Sequence, residues 1–383
     1  METVAIGVYV TDLTGKAAWT GAVAAAGFVP TAVLGPIGGA LADRWERRKI
    51  LLTTTCIQTA LASLLTTLFV IGRPAALTVT LVVLAGGVAQ SIGFPSYQAL
   101  LPDLVPTEDL AGAIALSSAQ WNLGRVIGPA LAGVVIGLGS YAWALGINSL
   151  SFLAVVMVLL TLRLPMPSGA PTGSIFSSIK EGVRFVRQDQ GLRINMMTMA
   201  LTTFVAAPFI ALVPAMALKV LHAGAFGTSV LVTAQGIGAV AVGLSVGPLA
   251  ARLGARRVLV TALSVLAPAL ALYAYAPALP LSALAIFFVG GAYLAAIASF
   301  TTIAQVRAPG HMRGRVLSVN NVLLGSLYPL GSVVQGALSD SIGLRNTTAI
   351  AAAVLGGAIV LTRVVRPGVT AAIDAPVVVP ATP

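Results

Sequence analysis

Charge is what this 383-residue chain lacks: Asp, Glu, Lys and Arg make up 9% of it against 57% hydrophobic residues, and its mean hydropathy is +0.97. Soluble domains carry about 25% charged residues, so water is not the principal solvent of this protein. The single cysteine, Cys56, excludes an intrachain disulfide, and its place within an apolar segment predicts a small buried side chain. The two histidines, His222 and His311, fall at loops far apart in sequence. A membrane-embedded transferase would need a convergent His, Asp or Ser site, which that distribution does not offer. The chain has no Walker loop, no GxGxxG fingerprint and no HExxH pair, so neither a nucleotide, a metal nor another cofactor is expected. GLSVG at 243–247 fits a nucleophile elbow around Ser245, but it lies within an apolar run rather than at a strand-to-helix turn.

Apolar stretches fill the space left by charge. Spanning about 30 Å of hydrocarbon takes roughly 20 residues of helix. Segments that meet this occur at 17–42, 49–71, 75–101, 109–139, 141–162, 193–218, 227–251, 257–277, 279–305, 314–338 and 344–362. An incomplete one at 1–13 precedes them, for twelve in all. At 1.5 Å per residue it reaches only about 20 Å, and it has no basic flank of the kind a signal peptide carries. The expectation is that the natural protein begins upstream and that Met1 lies inside the first helix.

The net charge of +11 is unevenly placed. Seventeen of the 22 Lys and Arg fall after even-numbered segments or around the central loop, whereas only Lys16, Arg73, Lys219 and Arg345 fall at the other ends. Such a bias puts the rich side, both termini and the central loop in the cytoplasm, and argues for membrane lipids rather than nucleic acid as the charged neighbour.

A repeat runs through the chain. GGALADRWERRK (38–49) is echoed by VGPLAARLGARR (246–257) at an offset of 208 residues, which pairs Gly39 with Gly247, Arg44 with Arg252 and Arg48 with Arg256. Gly86–Gly87 and Gly290–Gly291 repeat at nearly the same offset. Two related halves with a shared loop point to a transporter. Asp43 has no counterpart, since Ala251 stands in its place, so any latch made by Asp43, Arg44, Arg47 and Arg48 is asymmetric. Asp103, Glu108 and Asp109 are the expected partners of those arginines.

Ionisable groups near mid-membrane cost about 2.5–3.5 kcal/mol each on insertion scales. Two occur: Glu2 and Arg125. Either they pair across neighbouring helices or both face a central cavity, and Glu2 is the candidate proton-coupling group. Around Arg125, Gly124, Gly128, Gly133 and Gly137 are spaced for close helix approach, and Pro129 permits a kink. Gln120 and Asn122, together with Gln90, Gln235, Asn320 and Asn321 elsewhere, are polar groups suited either to solute contact or to interhelical bonding. The segment 164–192 combines a Pro/Gly/Ser-rich linker with a short amphipathic helix, in which Ile175, Ile179, Val183 and Val186 oppose Lys180, Arg184 and Arg187. That pattern suits the inner membrane surface. No structure is assigned to 367–383.

GALADRWERR resembles the loop signature G-x-L-A-D-R-x-G-R-R of the major facilitator superfamily, with Glu46 where that pattern has glycine. NLGRVIGPALAG is similar to the fifth-helix motif of its exporters. METVAIGVYVTDLTG, INSLSFL, EGVRFVR and RGRVLSV resemble the branch holding siderophore, macrolide and multidrug exporters. The resemblance implies an all-α integral membrane fold of twelve transmembrane helices in two six-helix pseudo-symmetric bundles, with alternating access and proton antiport. It places Gly39, Asp43, Arg44 and Arg48 in a gating loop and Gly124, Gly128, Pro129 and Gly133 in the fifth-helix motif. It also supports an incomplete first helix, while the fourth segment lacks an arginine that many relatives carry. The expected organisation is a bundle at 1–163, a linker at 164–192, a second bundle at 193–363 and a disordered cytoplasmic tail at 364–383. The expected protein is a monomeric, multi-pass transporter of the bacterial inner membrane, not an enzyme, that exports amphipathic small molecules in exchange for protons. Import or facilitation of a small nutrient on the same fold is the alternative.

Overall fold

Long uncharged runs in a chain with few strand signals leave helix as the only element able to satisfy its backbone in lipid. The computed structural model describes residues 1–106, 108–162, 175–364 and 370–374, and no strand occurs among them. The linker 164–174 and most of the tail lie outside the described residues.

The first half holds α1 (Glu2–Thr14), α2 (Ala17–Arg44), α3 (Arg47–Ile71), α4 (Ala76–Leu104), α5 (Leu110–Leu138) and α6 (Tyr141–Thr161). A short helix, α7 (Ile175–Gln188), leads to the second half. There α8 (Gln190–Val205) and α9 (Phe209–Ala215) form one broken span, followed by α10 (Gly224–Leu253), α11 (Ala255–Tyr275), α12 (Leu279–Arg307), α13 (Gly310–Ile342) and α14 (Leu344–Val364). Among the described residues, eleven spans are long and apolar enough to cross a membrane. At 13 residues α1 is too short to join them, so eleven of the expected twelve spans are present among the described residues.

The repeat seen in sequence recurs in the packing. Gly87 lets α4 lie against the backbone of α2 at Gly27, and Gly290 and Gly291 let α12 lie against α10 at Gln235 and Gly238. A Cβ at any of these glycines would sit within about 3 Å of backbone oxygen, too close for any side chain.

Three expectations are corrected. Cys56 is exposed on α3 and not buried, since an apolar segment that spans a membrane need not turn each of its small side chains to a protein core. The seventh span is not one helix. Pro208 has no N–H to continue α8, Ala206 and Ala207 both donate to Thr202 O, and a five-residue π turn, Met216–Val220, follows Pro214. The tail is not wholly structureless, since Thr370–Ile373 forms a 3₁₀ turn with Ile373 buried. On α7 the side chains of Ile175 and Ile179 lie outside the described residues. Its buried Val186 and close-packed Gly182 rest on the second bundle, with Gly182 against Arg315 O of α13, while Lys180, Arg184 and Arg187 are exposed.

Candidate functional site

The two bundles meet along two seams, α2 with α13 and α5 with α10. In the first seam small residues admit backbone contact: Gly336 against Ala17 and Ala18, Gly21 against Ser332, and Gly325 against Ala32, with the Phe28 and Tyr328 rings edge-to-face at 5.1 Å. In the second, Gly133 meets Ser229 and Gly236 meets the backbone of Arg125. Both seams run from the end bearing Lys16 and Lys219 to mid-depth and stop there. Gly39, Gly314 and Gly247 continue the same helix faces toward the arginine-rich end, and nothing lies within 4 Å of a Cβ placed on any of them. The bundles are therefore shut at the sparsely charged end and parted at the basic end.

A carboxylate fastens the shut end. Lys16, which precedes α2, offers no side-chain cap, so the first N–H groups of that helix need an acceptor. Asp340 near the end of α13 supplies it from the opposite bundle: Oδ1 accepts from Ala17 N at 2.8 Å and Oδ2 from Ala18 N at 2.9 Å. Lys219 Nζ donates to the same Oδ1 at 3.2 Å. Sequence reasoning missed this latch. The only signal for it is one acid, Asp340, among the few charges of its end.

Mid-depth, Glu2 and Arg125 do not pair. Asn148 of α6 donates to Glu2 Oε2 at 2.8 Å, which turns the carboxylate into the first bundle. Arg125 instead lies where α5 crosses α10, its carbonyl 3.0 Å from where a Cβ on Gly236 would sit. At 100° per residue, α5 has two unlike exposed faces. Leu116, Leu123, Ile127, Val134 and Leu138 form an exposed apolar stripe, suited to lipid. Ser118, Trp121, Asn122 and Arg125 form a stripe on the opposite side that faces the gap between the bundles. Trp121 stands edge-to-face with Phe94 of α4 at 6.0 Å, and Phe94 stacks on Tyr97 at 6.5 Å.

The remaining polar candidates disperse. Gln120 accepts from Tyr97 Oη at 3.4 Å, and Asn122 donates to Ser118 O of its own helix at 2.8 Å. Gln58 of α3 donates to Gln90 Oε1 at 2.6 Å. Gln235 is buried in the α10–α12 seam, Asn320 is buried with no partner for Oδ1 among the described residues, and Asn321 is exposed. The four glycines of α5 do not form one contact face: Gly133 meets α10, Gly128 lies nearest Met1 N, and Gly124 and Gly137 meet nothing within 4 Å. Pro129 lies within α5 without ending the helix.

At the basic end the first loop is tied to its own bundle. Arg47 pairs with Asp103 and donates to Ala99 O at 3.0 Å, while Arg48 donates to Leu159 O and Leu160 O, both at 2.8 Å, closing the end of α6. Glu46 pairs with Lys49 at 2.9 Å. Arg44 and Arg252 are exposed, and the side chains of Asp43 and His311 lie outside the described residues. In the second loop Arg256 pairs with Asp374 of the tail turn, so a carboxylate from the tail supplies the loop whose own position 251 is alanine. Beside it Arg307 grips Asp189 through two bonds, Nε to Oδ1 at 2.9 Å and Nη2 to Oδ2 at 2.8 Å, and donates to Ile373 O at 2.7 Å. Burial pushes the Asp189 carboxyl up, but the Arg307 bonds and the N–H groups of Leu192 and Gly191 outweigh it and hold it below the usual carboxylate range.

Comparison with known proteins gives a consistent pattern. The family of transmembrane secretion effectors matches residues 1–379. Enterobactin exporter EntS of Salmonella choleraesuis is 30% identical over 336 residues, covering 85% of this chain and 77% of its own. Multidrug efflux pump Tap of Mycolicibacterium fortuitum is 28% identical over 344 residues (85% and 81%), and macrolide efflux protein A of Streptococcus pyogenes 25% over 349 (88% and 85%). Among solved structures, the nucleoside transporter NupG superposes with a TM-score of 0.72 at 15% identity over 95% of this chain and 96% of that one. A D-xylose–proton symporter gives 0.74 at 12% identity over 94% and 93%. At those identities the structural likeness speaks for the fold alone.

Proposed function

The chain belongs to the transmembrane secretion effector family of the major facilitator superfamily, and from that premise we propose that it exports amphipathic small molecules from a bacterial cytoplasm by alternating access, in exchange for protons. It is a multi-pass membrane transporter and not an enzyme. The observation that carries the alternating-access reading is the one-sided closure: seams shut from the Asp340 latch to mid-depth, and parted faces beyond Gly39, Gly314 and Gly247. The sequence puts 17 of its 22 basic residues on the side of the even-numbered segment ends and the central loop, and this positive-inside bias supports a cytoplasmic parted end, in the inner membrane, with both termini inside. This is the state in which an exporter loads. The relatives named for efflux and export favour outward transport over import of a nutrient. Lipid headgroups are the neighbours of exposed Arg44, Lys180 and Arg252, and the transporter acts as a monomer.

Glu2 is the group proposed to carry the proton. Asn148 holds its carboxylate, and movement of α1 against α6 would break that bond and free the group for proton uptake. The test is proton-gradient-driven dye movement in proteoliposomes, with Glu2→Gln alongside the unaltered chain. Gradient-dependent flux lost in the variant supports antiport through Glu2. Flux indifferent to the gradient makes the protein a facilitator, with Glu2 and Asn148 a packing pair.

A further inference from the structure

The charges along the pathway have one sign. Among the described residues, Arg125 is the only acidic or basic side chain on the α5 face turned to the gap at mid-depth. The described carboxylates are engaged elsewhere or lie far from it. Glu2 is turned to Asn148, Asp340 holds the first N–H groups of α2 and Lys219, and Asp103, Glu181, Asp189 and Asp374 each pair with an arginine at the basic end. Glu46 pairs with Lys49, Asp12 lies near the shut end of α1, and Glu108 and Asp109 precede α5 at its basic end, more than four turns from Arg125. The parted end from which Arg125 is reached also carries exposed arginines, Arg44, Arg252 and Arg313, which add to the positive field there. A cleft of one sign between low-dielectric walls concentrates solutes of the other sign.

We propose that the pathway selects amphipathic organic anions with an aromatic body, and that Arg125 is the residue that reads the charge. This rests on the transport function proposed above and names its substrate class. The guanidinium offers a planar fork that matches a carboxylate in two parallel bonds. Four residues away, one turn toward the mouth on the same face of α5, Trp121 is 47% exposed and set edge-on to Phe94, which leaves aromatic surface for the body of the solute. A cationic solute of the same shape meets uncompensated positive charge with no described carboxylate at that depth to receive it. The selectivity thus follows from where the acids are not, as much as from where the arginine is.

Three dansyl derivatives sharing one aromatic body test this: dansylglycine (carboxylate), its amide (neutral) and dansylcadaverine (ammonium). Binding to the purified full chain is read by dansyl fluorescence, and movement is read separately in proteoliposomes. The carboxylate should bind at least about tenfold more tightly than the ammonium, the scale of one charge-assisted hydrogen-bonded pair. Arg125→Gln should erase that ranking, Arg125→Lys should keep part of it, and Trp121→Ala should weaken all three without reordering them. The Lys variant guards against loss of fold, since a folded chain with the same charge isolates the fork geometry. Equal affinities in the unaltered chain, tighter ammonium binding, no detectable carboxylate binding, or a ranking that survives Arg125→Gln would each overturn the proposal. Carboxylate-selective binding without movement of any probe would count against the transport reading and leave the selectivity standing.

Discussion

Replacing Asp340 should loosen the shut end of the transporter and leave each bundle intact. The carboxylate accepts two backbone N–H groups from α2 at 2.8 and 2.9 Å, and neither has another cap. Charge-assisted bonds of this kind contribute about 1.5–3 kcal/mol each when secluded, and less where water competes. Asp340 is partly exposed, so we take about 2–4 kcal/mol for the pair, including the helix-dipole contribution. The Lys219 contact at 3.2 Å is half-exposed and adds less than about 1 kcal/mol. All of this exists only while the bundles touch, so its loss moves the equilibrium toward separation at that end by roughly 30- to 1,000-fold. Conformers of such transporters differ by a few kcal/mol, so Asp340→Ala should populate the separated form visibly. Asp340→Asn keeps one acceptor oxygen and should give about half the effect. The assay is a distance distribution between spin labels on exposed Gly72→Cys and Ala278→Cys, one in each bundle, in a Cys56→Ser background. A longer-distance population should appear in the alanine variant. An unchanged distribution in a protein of unaltered helical content would refute the latch.

Other outcomes follow from the same contacts. Gly21→Val drives a side chain into Ser332 O, with which even a Cβ at that position would overlap; it should wedge the α2–α13 seam and lengthen the same label distance as Asp340→Ala. Gly238→Ala acts within one bundle, where the added methyl would collide with Phe287 O. Forcing α10 from α12 should cost about 1–3 kcal/mol, seen as a lower melting temperature in detergent. Asp189→Asn leaves a buried guanidinium less well matched and should destabilise the second bundle by about 3–5 kcal/mol. Because the Asp189 carboxyl is held below its ordinary value, its contribution should be complete at neutral pH and disappear only as pH falls below about 4. Cys56 in liposomes should react with an apolar maleimide and resist a charged one, as befits an exposed thiol within an apolar span.

Much of this architecture was legible because the bilayer imposes lengths and excludes charge. The ends of the spans, the sidedness of the arginines and the singularity of Arg125 all follow from those two constraints. What depends on which helix faces which was not legible. Glu2 and Arg125 share a depth but not a face, and depth alone made them look like partners. The α5 glycines share a spacing, yet only Gly133 has a neighbour close enough to need a glycine. Asp340 and Asp374 act across bundles or from the tail, on partners with no sequence relation to them. Pro208 and Pro214 mark the break in the seventh span, but the apolar run continues through both, so a reading by length and hydropathy passes over it.

That break changes what a rocking bundle is. α8 packs on α12 and α13, whereas α9 reaches across to α1 and α2, with Pro214 pressed against Gly7. Flexing an intact helix in hydrocarbon would expose backbone groups at several kcal/mol each. At 206–208 the ladder is already interrupted, and Gln335 of α13 holds the freed carbonyls of Phe204 and Val205 at 3.3 and 2.7 Å. Further bending there sacrifices no additional ladder bond. The seventh span is thus a knee, whose upper piece can stay with one bundle while the lower piece travels with the other.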